Sequence, residues 1–186
     1  MKVEVYCMPE FNDLIRSLTE PLLDLYTCEK PIRICSGSYL INNEGEIRQI
    51  GRFKKLSAKL RGEFGWFAAH KSKHSRKGKQ SEALARMRQI QKIAAPFSYK
   101  ETKGKRPWGS YDPNYGAIVI DLGNLAIAFL DSEYIRNKSR VDQLEATIGH
   151  ELVHKDTDQA IYNRERRRFK DKIGPAISTK QIYNSA

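Results

Sequence analysis

Residues 148–156 read IGHELVHKD, and within them His150-Glu151-Leu152-Val153-His154 sets two imidazoles four residues apart with a carboxylate beside the first. On an α-helix, positions i and i+4 lie one above the other on the same face. Two ring nitrogens so placed can grip one divalent cation, for which zinc, bound by neutral imidazole, is the natural candidate. A zinc ion lowers the pKa of its water to about 7, so hydroxide becomes available without strong base. Glu151 is then placed to take the proton and return it to a leaving amine. The plainer alternative is a solvent-facing helix whose His and Glu are polar surface. Two of the chain's four histidines, however, fall on this one turn, the others being His70 and His74.

Such a site needs a helix with its apolar stripe turned elsewhere. Ser139-Arg140-Val141-Asp142 has the form of a capping box and predicts a helix start. At 100° per residue Val141, Leu144, Ile148 and Leu152 share a narrow arc that must face the core. His150 and His154 project from the opposite side with Gln143 and Thr147, and Glu151 stands at the flank. Upstream, GAIVIDL at 116–122 is short, β-branched and apolar on both faces, which predicts a buried strand. Residues 82–94 predict a helix capped by Ser81 and ended by Pro96. Residues 102–115, rich in Gly, Pro, Lys and aromatics, predict a long loop bordering a site. The 124–136 segment fits helix and strand equally. Nearer the N-terminus, 9–28 predicts a helix kinked by Pro21, and 32–50 predicts two or three short antiparallel strands with turns at 36–38 and 42–45.

The succession of a scaffold helix at 82–94, a strand at 116–122 and a helix bearing HELVH resembles the zincin metallopeptidases over about 82–170. Small size and basic charge further resemble the compact zincins deployed as bacterial effectors and toxins. The resemblance implies an α+β fold, with a small mixed or antiparallel sheet packed against a scaffold helix and the active-site helix. It also implies peptide-bond hydrolysis in a protein substrate, Zn2+ as cofactor, His150 and His154 as ligands and Glu151 as the catalytic base. A catalytic zinc takes three protein ligands, and the third stays open. The metzincin pattern would need Gly and a ligand where Thr157 and Ala160 stand, and a thermolysin-like glutamate would fall near Gly174. On an unbroken helix Asp158 would stand ~12 Å along the axis from His150, too far to share one ion, so a break is needed, and Asp156-Thr157-Asp158-Gln159 can supply it by capping a second helix. A helix folding back from there would bring up Asp158, slightly preferred, or Glu165. Cys35 is a remote upstream option, and Tyr162, Tyr183 and Arg164 are candidates to stabilise the oxyanion.

At 186 residues the chain has the size of one domain, read as an N-terminal α/β portion at 1–70, a basic loop at 71–80 and the zincin-like core at 81–186. A formal charge of +11 points to an acidic partner, whether nucleic acid, an anionic membrane surface or an acidic protein, and charge alone does not choose among them. A rival reading therefore makes the chain a basic nucleic-acid-binding module, using Lys71, Lys73, Arg76, Lys77 and Lys79 with Arg164, Arg166, Arg167 and Arg168. No RNA- or DNA-binding signature accompanies these runs. Cys7, Cys28 and Cys35 form no CxxC pair, so a thiolate zinc knuckle or disulfide framework is not expected. Charged residues interrupt the first six positions and no run is long enough to span a bilayer, so the expectation is a protein made in the cytosol, any export needing no signal peptide.

Overall fold

The computed structural model describes residues 3–25, 31–36, 39–41, 47–49, 53–70, 77–95, 108–112 and 116–169, with side chains described for 3–23, 31–36, 54–70, 81–95, 108–112 and 116–157. The fold is α+β, with a mixed four-stranded sheet and five α-helices among these residues. Strand β1 (Val3–Tyr6) runs parallel to β2 (Ile32–Ser36), and β2 runs parallel to β6 (Ala117–Ile120). The antiparallel β5 (Gly109–Asp112) closes one side, giving the order β1-β2-β6-β5. Val5, Ile34, Ile118 and Tyr111 stand level across the sheet and share one face, since side chains alternate along a strand.

The 116–122 strand expectation holds, since β6 is central and Ala117, Ile118 and Ile120 are buried. The antiparallel expectation for 32–50 holds only for the small hairpin of β3 (Tyr39–Ile41) and β4 (Ile47–Gln49). Strand β2 pairs in parallel instead. Its Ile32, Ile34 and Cys35 are buried on both faces, the signature of an inner parallel strand, and its partners lie far away in the sequence. Part of the expected 102–115 loop is strand β5, too polar and glycine-rich to read as one.

Helix α1 (Asn12–Thr19) buries Ile15 and Thr19. The buried Thr19 hydroxyl donates to the Ile15 carbonyl at 2.6 Å, which satisfies it. At Pro21 the chain tightens into a 3-10 turn, Glu20–Leu25, the break expected of that residue. Helices α2 (Phe53–Ala69) and α3 (Lys77–Ala94) follow. Helix α3 begins inside the basic stretch expected as loop, because lysine and glutamine are good helix formers whatever their charge. Glu63 and Arg86 join α2 to α3 at 3.1 Å, with the Arg86 guanidinium 4.8 Å above the Trp66 ring.

The ambiguous segment after β6 is helix α4 (Leu122–Leu130), whose Asp121 cap accepts the Asn124 N–H at 2.8 Å. Nearly all of α4 is buried; an all-round apolar helix belongs at the centre of a core, and its lack of periodicity is what hid it. A π-type turn, Asp131–Ile135, and a left-handed Arg136 (φ 58°) then reverse the chain. Helix α5 (Lys138–Phe169) starts one residue ahead of the predicted box, because Asn137 supplies the cap and accepts the Ser139 N–H at 3.1 Å. Helix α5 then runs unbroken through 156–159. The expected break there, and the fold-back helix built on it, do not occur.

Candidate active site

The motif lies in the middle of α5, held by the stripe the sequence predicts. Leu144, Ile148 and Leu152 are buried, while Val141 is half-buried near the helix start. Leu22 reaches Gly149, its terminal carbon 3.8 Å from where a Cβ would stand. His150 and His154 are exposed on the outward side, as is Val153. The His150 and His154 rings meet edge to face at 86°, with centroids 4.6 Å apart. Their Nε2 atoms are 3.0 Å apart.

That separation suits two chemistries. One neutral imidazole can donate an N–H to the other across it. Two nitrogens each ~2.0–2.1 Å from a tetrahedral zinc would stand about 3.3 Å apart, so the pair needs only a few tenths of an ångström of adjustment to share an ion. The donor set thus fits two ligand positions. Among the described residues no group of three His, Cys, Asp or Glu side chains could hold a metal. The Asp158 and Glu165 side chains lie outside the described ones, as do those of Tyr162, Arg164 and Tyr183. The backbone still constrains them. On the unbroken helix Asp158 is ~12 Å and Glu165 ~22 Å along the axis from His150, at ~1.5 Å per residue. Neither Asp158 nor Glu165 therefore comes level with the histidines by the expected fold-back. Cys35 is buried in β2, and desolvation pushes its thiol up to about 12. Cys7 is pushed up to about 12 for the same reason, with Cys35 nearby adding to it.

Glu151 is only 7% exposed. Its Oε2 accepts the main-chain N–H of Tyr111 on β5 at 2.7 Å. One turn on, Lys155 is 4% exposed and its Nζ donates to the Pro31 carbonyl at 2.7 Å, just ahead of β2. Two charged side chains thus extend the buried stripe of α5, each ending on backbone of a different segment, and together they fix the height and rotation of the motif against the sheet. Sequence reasoning placed Glu151 but missed Lys155. Its signal was positional: 148, 152 and 155 continue one helical face. The Tyr111 N–H carries no side-chain signature at all. Strand β6 lies between β2 and β5, and among the described residues β5 is the outer strand on this side.

Among the described residues no helix is long and apolar enough to cross a membrane. Comparisons with protein-family models, with curated proteins and with solved structures find no match.

Proposed function

We propose that the chain is a zinc-dependent metallopeptidase that hydrolyses peptide bonds in a protein substrate. One observation carries the reading: two exposed imidazole Nε2 atoms converge to 3.0 Å on the same helical turn as a buried carboxylate fastened to the sheet.

His150 and His154 would hold the zinc, with a third ligand from outside the described side chains. When bound, the ion supplies Lewis acidity, polarising the scissile carbonyl and making a water acidic enough to deprotonate near neutral pH. Glu151 takes that proton and passes it to the leaving nitrogen. Its Oε2 accepts the Tyr111 N–H, which holds the carboxylate in place.

The rival reading, a basic nucleic-acid-binding module, draws on the +11 charge and on basic runs outside the described side chains. It gives Glu151 only the role of fastening α5 to β5. Replacing Glu151 by Gln separates the two: the peptidase reading expects zinc and fold to be kept while hydrolysis of a denatured protein substrate falls by at least a hundredfold. Full hydrolysis by that variant removes the assignment of the base. Nucleic-acid affinity that drops steeply with salt, alongside no hydrolysis by wild type, favours the rival.

A further inference from the structure

We propose that the main-chain N–H of Tyr111 is a positioning group for Glu151, and that Gly109 is the residue that brings strand and helix close enough for it to act; the inference rests on the peptidase reading of Glu151. Which way the β5 backbone points follows from its ladder. Asp121 N–H donates to the Trp108 carbonyl at 2.8 Å, so Trp108 and every second residue after it turn their main-chain groups toward β6. Gly109 and Tyr111 therefore turn theirs outward. An outward N–H on an outer strand ordinarily meets water. This one meets a buried carboxylate of α5 at 2.7 Å.

Two contacts set the alignment. A Cβ added to Gly109 would stand 2.9 Å from Cγ2 of Thr147 and 3.2 Å from the Val119 carbonyl, so the helix lies as near β5 as a glycine permits. From Gly109 to Tyr111 the strand advances ~6.8 Å. From Thr147 to Glu151 the helix advances ~6 Å. The two steps match, so β5 and this part of α5 run side by side in the same direction, and seating Thr147 on Gly109 delivers Glu151 to the Tyr111 N–H. A glutamate has three rotatable bonds whose freedom must be given up before it can act as an oriented base. Here that freedom is lost in folding, before substrate arrives.

Comparing Tyr111→Pro with Tyr111→Ala tests the proposal. Both variants lose the ring, but only proline also removes the N–H. Because that N–H points away from β6, the ladder is untouched, and outer strands accept proline there. The expectation is equal zinc content and equal KM in the two variants, with kcat at least tenfold lower for Tyr111→Pro. A merely structural role would instead shift both constants, together with zinc content or unfolding midpoint. Equal kcat values overturn the proposal. Amide hydrogen exchange at Tyr111 gives a reading independent of catalysis and of whether the proline variant folds. Protection of that amide in wild type and in Glu151→Gln, with at least tenfold faster exchange in Glu151→Ala, supports the contact. Equally fast exchange in all three overturns it. If wild type cleaves nothing, the peptidase reading fails by itself and the exchange comparison alone decides whether Tyr111 holds Glu151.

Discussion

Replacing Gly109 by Ala probes the closest approach between α5 and the sheet. The added Cβ would stand 2.9 Å from the Thr147 methyl, where carbon atoms rest at ~3.5–4.0 Å. It would also stand 3.2 Å from the Val119 carbonyl, which belongs to the central strand and cannot swing aside. Overpacking of this kind costs about 1–3 kcal/mol. Stiffening the unfolded chain returns about 0.4–1 kcal/mol. The net expectation is a loss of about 1–2 kcal/mol. Thr147→Ser removes the clashing methyl but keeps the hydroxyl that donates to the Gln143 carbonyl at 2.8 Å. Alone it should cost up to about 0.8 kcal/mol for one partly buried carbon. The double variant should regain roughly 1 kcal/mol over the sum of the singles, the remainder being held by the Val119 contact. Urea unfolding of the four proteins gives the coupling directly. Additivity within about 0.5 kcal/mol would refute the claim that Thr147 and Gly109 set the approach of α5 to β5.

Three further outcomes are expected. Lys155→Ala leaves the Pro31 carbonyl without its donor, so urea unfolding should show a loss of about 1–3 kcal/mol, against at most about 0.5 kcal/mol for Val153→Ala on the exposed side. Burial pushes the Asp131 carboxyl from 3.8 up to about 6, with Arg140 opposing, so the folded chain binds more protons than the unfolded one between those values. Stability should therefore fall as pH rises from about 4 to about 6, and Asp131→Asn should flatten that slope in unfolding midpoints measured across the range. Because α5 is continuous, Glu165→Ala should leave zinc affinity unchanged in a competitive chelator titration.

Where burial follows a simple period, the fold was legible. The arc of Leu144, Ile148 and Leu152 could be read, as could β6, the end of α3 and the break at Pro21. Long-range pairing could not be read: β2 is joined to strands on either side that lie well before and after it in sequence, so no local turn announces their parallel register. Helix α4 was hidden by being apolar all round, and β5 by being polar and short. Two misreadings share one cause. A Ser-x-x-acid pattern at 139 and an Asp-x-x-Gln pattern at 156 both have capping chemistry, but a cap forms only where the backbone leaves the helix. Asn137 had already begun α5 after the left-handed turn at Arg136, and nothing interrupts it at Asp156. At the site, the motif named His150, Glu151 and His154 by residue type and spacing. The groups that hold Glu151 and the helix in place are backbone atoms of Tyr111 and Pro31, which have no letter of their own, and Lys155, which resembles any surface lysine until its helical position is counted.

Metal analysis of the chain purified without chelator, beside His150→Ala and His154→Ala, tests the central claim most directly. About one equivalent of zinc in wild type and at least a tenfold lower content in each folded variant is the predicted result. Equal zinc in all three proteins, or none in wild type after dialysis against excess zinc, would contradict it.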